Sequence, residues 1–256
     1  MTIPSEPPLQ KLQFYVTTGY GCGYLPNKMA QSLIASPQHL IDANVYSGLI
    51  QQGFRRSGKF AYRPHCENCR ECVPVRIILQ DFIPSRSQKR AYKQHQNLVA
   101  NILPVEFHAE HYALYAAYQK ARHADEIENK KIESENKSQP KKIDKSEQDE
   151  IEQYHSFLCQ TNVESVMVEF RDHGQLKMVS VIDLVHDGIS AVYTFYETSD
   201  TKASFGTYNV MWQIDWAKSL SFPYLYLGYW IKASQKMAYK QNFKPLEKLI
   251  DGEWQK

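Results

Sequence analysis

Three thiols fall in one short run, Pro64-His65-Cys66-Glu67-Asn68-Cys69-Arg70-Glu71-Cys72, and a fourth, Cys22, sits between Gly21 and Gly23. Four soft sulfur ligands suit tetrahedral zinc or an iron-sulfur cluster, and the flanking glycines permit close backbone approach. The same thiols also read as small buried side chains beside a turn, as Cys159 does on its apolar helix. A second constellation is cationic. Arg86, Lys89, Arg90 and Lys93 are spaced so that one side of a helix carries all four, a density that suits phosphates. A third lies at the loop Thr198–Gly206, where Gly206 and Thr207 would open a helix whose free N–H groups and dipole favour an anion. Around it stand Tyr193, Phe195, Tyr196, Tyr224, Tyr226, Tyr229 and Trp230, rings that fill a core or line a partly wet cleft.

The elements that must position these residues are legible in part. Asp42 to Gly53 places Val45, Leu49 and Ile50 at helical spacing, with Asp42 as the start signal and Gly53 as the stop. Val73 to Phe82 reads as a strand ending before Pro84, and Ser85 to Leu98 as the basic helix. Phe107 to Arg122 carries Tyr112, Leu114, Tyr115 and Tyr118 on one core-facing side. Between Ala124 and Glu152 stand ten acids and six bases without one aromatic ring, which predicts a mobile solvated insertion. Beyond it come Val163–Phe170, Leu176–Val185 and Ile189–Glu197, three strands joined by turns at Asp172-His173-Gly174 and Asp187-Gly188. A helix striped by Val210, Met211, Ile214 and Ala217, the strand Pro223–Ile231 and a basic helix with Lys232, Lys236 and Lys240 complete a βββαβα order. That order predicts an α/β (α+β) molecule with a mixed sheet covered by helices.

With 256 residues, 43% of them hydrophobic and 23% charged, the chain can bury a sizeable core and is neither fibrous nor disordered. A net charge of +2 excludes a protein wrapped in nucleic acid throughout. The charge is uneven, however: Gln51 to Ala100 holds ten bases against three acids. No apolar run approaches the ~20 residues of a membrane helix, and the start MTIPSEPPLQ has neither the basic nor the apolar region of a signal peptide. A cytoplasmic, membrane-free protein with reduced thiols is the expectation.

Several stretches carry a resemblance. They include Cys22-Gly23-Tyr24-Leu25-Pro26, Gly53-Phe54-Arg55-Arg56-Ser57-Gly58, Cys72-Val73-Pro74-Val75-Arg76 and Phe82-Ile83-Pro84-Ser85-Arg86. Ser204-Phe205-Gly206-Thr207-Tyr208 and Tyr224-Leu225-Tyr226-Leu227-Gly228-Tyr229-Trp230 continue it. From about Phe14 to Trp254 the chain resembles the bacterial aminoacyl-tRNA-protein transferases of the N-degron pathway, leucyltransferases related to the eukaryotic arginyltransferases. Three prolines and no apolar periodicity over Thr2 to Gln10 read as a loose leader over residues 1–11, and the resemblance implies an N-terminal cysteine-bearing α+β domain, here 12–104, joined to a GNAT-like acyltransferase domain, 105–256, with the charged insertion at about 124–152. It implies transfer of leucine from leucyl-tRNA to the α-amine of proteins beginning with Asp or Glu, with no cofactor required for the chemistry. In eukaryotic relatives the cysteine region is associated with zinc or an iron-sulfur cluster, which implies Cys22, Cys66, Cys69 and Cys72 as ligands. Their adjacent cysteines are replaced here by Glu71-Cys72, and a further one by Leu25, so the ligand set would differ.

An aminoacyl ester is already activated and an α-amine has an ordinary pKa near ~8, so positioning dominates the expected chemistry. Tyr193, Tyr196 and Tyr229 are the expected oxyanion donors, with Asp183 or Glu197 removing the amine's proton. Arg76, Arg63 and Arg55 are the expected readers of the acceptor carboxylate. The basic helix, Gly206, Thr207 and the lysines at 232, 236 and 240 are expected on the tRNA. An arginine-transferring relative, and a metal-stabilised RNA-binding module whose aromatic strands stack bases, share these residues.

Overall fold

The computed structural model describes residues 11–134, 147–200 and 202–256, with backbone alone over 123–134. Most of the expected leader and the centre of the expected insertion, 135–146, lie outside the described residues. A small antiparallel sheet is built from β1 (Gln13–Val16), β4 (Ser32–Ser36), β5 (Arg55–Ser57) and β6 (Phe60–Pro64), in the order β1-β4-β6-β5, with a separate β2 (Tyr20–Gly21) and β3 (Met29–Ala30) pair. Helix α1 (Ala43–Gln51) begins where the Asp42 carboxylate accepts the Val45 N–H at 2.8 Å. Its Tyr46, Leu49 and Ile50 pack with Phe54, Ala61, Val185 and Tyr226, which fastens the small sheet to the large one.

The large sheet has eight strands in the order β14-β13-β7-β12-β11-β10-β9-β8. They are β7 (Val73–Ile78), β8 (Val99–Leu103), β9 (Ser165–Asp172), β10 (Gln175–Val185), β11 (Gly188–Tyr196), β12 (Tyr224–Trp230), β13 (Leu246–Ile250) and β14 (Glu253–Gln255). The expected meander is β9 to β11. Helix α5 (Phe205–Ser219) is the crossover that lets β12 lie parallel to β11; the other pairs are antiparallel. Two strands from before residue 104 belong to this sheet: β7 lies between β12 and β13, and β8 pairs with β9. The sheet therefore crosses the boundary expected at 104/105, because the apolar run Val75, Ile77, Ile78 is buried only inside it.

On one face α5 lays Val210, Met211 and Ile214 on Val75, Ile77, Ile182 and Leu225, and α2 (Arg86–Gln94) packs beside it. The other face carries Met167, Val179, Val181 and Phe195 beneath α3 (Ala109–Ser134), α4 (Glu147–Tyr154) and a π-helical turn, His155–Cys159. Helix α3 continues eleven residues past the expected start of the mobile insertion, and α4 occupies its far end. The described flanks of that stretch are thus helical: Ala, Glu and Lys are strong helix formers, and Glu147, Asp149 and Glu150 fall in the first turn of α4, where the dipole favours acids.

Candidate active site

Strands β11 and β12 pair only at Gly188 with Tyr224, Ile189 with Leu225 and Ser190 with Tyr226, and then part. At this point the register of β12 against β7 shifts between Tyr226 and Gly228, and Gly228 takes a φ of 76°. Arg55 fills the opening. Its Nη1 donates to Ser190 Oγ at 2.7 Å and its Nη2 to the Ala191 carbonyl, an acceptor left free where the strands separate. A Cβ at Gly228 would stand 3.2 Å from Arg55 Nε, so the side chain passes where only glycine leaves room. Nearby, Lys240 Nζ donates to the Tyr229 carbonyl at 2.6 Å. Burial pushes its ammonium down to about 7, Arg55 adds to that and Cys72 opposes it.

Several expected roles do not survive these positions. Asp183 is fully buried, with both oxygens 2.8 Å from Arg56 Nε and Oδ1 accepting from Ser165 Oγ at 2.7 Å, so it anchors β5 to β10 and reaches no substrate. Glu197 accepts from Lys177 at 2.7 Å. The Tyr229 hydroxyl donates to the Gly53 carbonyl at 2.9 Å and links the two sheets instead of facing a cleft. Arg76 donates from Nε to Glu247 at 2.7 Å, bonds the Tyr226 hydroxyl and lies 3.6 Å over Tyr224 and 4.4 Å over Trp254. Such a guanidinium has no free fork for an acceptor carboxylate. Arg63 donates to the Gln52 carbonyl at 3.0 Å and lies over Phe54, and Arg55 is spent in the strand opening. The expected helix through Lys232, Lys236 and Lys240 is interrupted: α6 spans only Gln235–Ala238, and Lys240 turns inward on a 3-10 turn, Tyr239–Asn242.

Other residues do converge. A cleft of about 600 Å³ opens between α2, the start of α5 and the turn Tyr239–Asn242, with Arg90, Gln94, Ser204, Thr207, Tyr239 and Asn242 in its wall. Helix α2 is set by a capping box, Ser85 with Gln88, and Gln88 Nε2 also donates to the Asn242 carbonyl at 3.1 Å, tying helix to turn. Arg86, Lys89, Arg90 and Lys93 are all exposed on α2. Helix α5 starts from Ser204 in the left-handed region without a side-chain cap, and His95 stacks 4.4 Å from Phe205 to brace it. The N–H groups of Thr207 and Tyr208 both donate to the Ser204 carbonyl at 3.0 Å, so those of Phe205 and Gly206 stand at the open helix start, where the positive end of the dipole lies. The Tyr196 hydroxyl reaches this point, 3.9 Å from where a Gly206 Cβ would stand. Beside it, Tyr196 packs edge-on to Tyr118 at 5.0 Å, and burial raises the Tyr193 hydroxyl to about 12, with Tyr115 adding to the effect.

The four thiols are half-buried and free. Burial pushes Cys72 up to about 12, and Cys22, Cys66 and Cys69 reinforce this, so the sulfurs lie within electrostatic reach of one another. Metal ligation requires thiolates converging on one point. Among the described residues no three His, Cys, Asp or Glu side chains do so, and Cys66 instead directs its thiol to the Gln31 carbonyl.

The molecule is thus an α+β protein: a helix-covered mixed sheet with one parallel pair that parts, and a cleft with Arg90 and Lys202 in its wall. Residues 20–90 match the family model described as arginine-tRNA-protein transferase, N terminus, and 110–250 the one described as arginine-tRNA-protein transferase, C terminus, so the chain belongs to that family of aminoacyl-tRNA-protein transferases. It is 61% identical over 99% of its length to the aspartate/glutamate leucyltransferase of Methylobacillus flagellatus, covering 95% of that protein. Identity to the aspartate/glutamate leucyltransferase of Thiobacillus denitrificans is 50%, with 98% of both chains covered. A solved structure, L-PGS from Bacillus licheniformis, gives a TM-score of 0.41 at 11% identity over 62% of this chain and 47% of that one, too low to define a shared fold.

Proposed function

We propose that the protein takes leucine from leucyl-tRNA and joins it to the α-amine of proteins that begin with Asp or Glu, marking them for degradation in the cytoplasm. The observation that carries this reading is the cleft, which gathers Arg90, Thr207 and Tyr239 from three distant segments, with the Tyr196 hydroxyl near Gly206, next to Thr207 of its wall. In this reading β9 to β12 with α5 form a GNAT-like acyltransferase core, and the small sheet is the cysteine-bearing unit joined to it.

The acceptor end of the tRNA runs along Arg86, Lys89, Arg90 and Lys93, with the exposed Lys232 and Lys236 on the far side. Its terminal phosphate meets the N–H group of Gly206 and the Thr207 side chain at the start of α5. That places the leucyl ester beside Tyr196. The free amine attacks the ester carbonyl; a C–N bond forms, the C–O bond to the ribose breaks, and the amine's proton leaves with the ribose oxygen or to water. Near an ordinary pKa of ~8 enough amine is unprotonated at neutral pH that holding it at attack distance is the main task. Tyr196 donates to the developing oxyanion, and Tyr193 stands behind it. Every step uses the chain's own groups and the activated ester, so the chemistry calls for no cofactor.

Purified protein incubated with equal amounts of labelled leucyl- and arginyl-tRNA and a peptide beginning with Glu is expected to label the peptide with leucine. Label that stays on both tRNAs would refute the proposal, and labelling by arginine would correct the donor.

A further inference from the structure

An acceptor that begins with Asp or Glu brings a carboxylate to the reaction, and the arginines singled out for it are occupied elsewhere. Arg76 already holds Glu247, and Arg55 lies inside the sheet on Ser190 and Ala191. Arg63 sits over Phe54 on the small sheet. Arg122, on the last described side-chain turn of α3, is in a different situation. It is half-buried, and its guanidinium carbon lies 5.6 Å from the centroid of the Tyr118 ring. Among the described residues no carboxylate pairs with it, and the electrostatic partners it has are tyrosine hydroxyls, those of Tyr118, Tyr193 and Tyr239. A guanidinium held against an aromatic wall keeps its planar fork of donors available and gives up little hydration to reach a carboxylate.

The position of Arg122 connects it to the chemistry. Tyr239 forms part of the cleft wall, and its hydroxyl end lies within electrostatic reach of both Tyr196 and Arg122. Tyr118, on which Arg122 rests, packs edge-on to Tyr196. The cation is thus one ring away from the Tyr196 ring whose hydroxyl stands near the start of α5. A first residue whose amine attacks beside Tyr196 would carry its side chain toward this guanidinium.

We propose that Arg122 is the specificity-determining residue that receives the acidic side chain of the acceptor's first residue in a bidentate ion pair. This rests on the leucyl-transfer reading. A long, flexible cation accommodates both Asp and Glu, which differ by one methylene, whereas Asn and Gln present an amide that cannot accept both donors of the fork.

The test compares kcat/KM for peptides differing only in a first residue of Glu or Gln, in the wild type, Arg122→Gln and Arg122→Lys, alongside leucyl-tRNA affinity. Arg122→Gln is expected to lower transfer to the Glu peptide about 100-fold and to collapse the Glu-over-Gln ratio, with tRNA affinity within about twofold of wild type. Arg122→Lys keeps the charge without the fork and should fall between the two. Equal losses for both peptides, or a matching loss of tRNA affinity, would overturn the assignment, the second pointing to a phosphate as the partner. Calorimetric titration of the same two peptides into wild type and Arg122→Gln reads the ion pair without transfer. If the wild type transfers no amino acid, the function above fails while this binding comparison still decides Arg122.

Discussion

Tyr196 and Arg55 show how residues of ordinary type acquire opposite duties from their surroundings. The Tyr196 hydroxyl stands at an open helix start beside the cleft, whereas Arg55 is 9% exposed and closes a gap between strands. Only the first is placed to meet a developing charge. Tyr196→Phe is therefore expected to lower kcat by about 10- to 100-fold while leaving the KM for leucyl-tRNA within a factor of about two, since one oxyanion donor is removed and the phosphate contacts remain. Steady-state kinetics with a Glu-starting peptide checks this, and a change confined to KM would return Tyr196 to a packing role. Arg76 makes the complementary case. It is buried against Glu247, Tyr224 and Trp254, so Arg76→Ala should cost about 3 kcal/mol of stability by leaving Glu247 unpaired, without altering the preference for Glu over Gln acceptors. Urea unfolding and the paired peptide assay measure the two effects separately.

Two elements carry charge networks with distinct consequences. Helix α2 presents four exposed cations along one side, and its capping box and the bond from Gln88 to Asn242 fix the helix so that Arg90 from that side enters the cleft wall. Replacing Lys89 and Lys93 together by Gln should make the dependence of log affinity for tRNA on log salt shallower by about 1 to 2, as expected when two phosphate contacts are lost. Titration of fluorescent tRNA at several salt concentrations provides the slope. On the opposite edge, Glu169 of β9 accepts from Arg171, His111 and Asn101, joining α3 to β8 and β9. The bonds from Arg171 chiefly hold its carboxyl down to about 2, with His111 and Asn101 assisting against the cost of burial. Burial lowers the His111 pKa as well, so at neutral pH that contact is a hydrogen bond from a neutral ring. A carboxyl depressed in the folded state stabilises fully above its unfolded value of ~4.3 and loses that contribution as pH falls toward about 2. The wild type should thus lose about 2 to 3 kcal/mol from this group between pH 5 and 2, and Glu169→Gln should show a flatter acid limb in urea melts.

At the scale of the molecule, the two sheets act as one because their links are buried and specific: Arg56 to Asp183, Tyr229 to Gly53, and α1 packed on Val185 and Tyr226. By itself the sequence determined what depends on local spacing. The cap at Asp42, the four cations of α2, the strands from Val163 to Glu197 and the crossover helix were readable because period and end signals are written within about ten residues. The stretches of the chain shared with the transferases, and the chemistry they imply, were readable for the same reason, being contiguous words. The cleft was partly legible: Arg90, named from charge, and Thr207, named from loop position, both lie in its wall, and the hydroxyl of Tyr196, named among the strand aromatics, comes near Gly206. Tertiary structure alone decided how each buried cation was used. Nothing local distinguishes Arg55 and Arg76 from Arg122, since whether such a guanidinium is free depends on carboxylates and carbonyls more than a hundred residues away, as with Glu247 for Arg76 and Ala191 for Arg55. The same holds for the places of β7 and β8 in the large sheet: Val73 to Phe82 was readable as a strand, but the partners of both strands are distant in sequence. Local pattern fixes which way a side chain points along its own element; its partner is fixed only when the sheet closes around it.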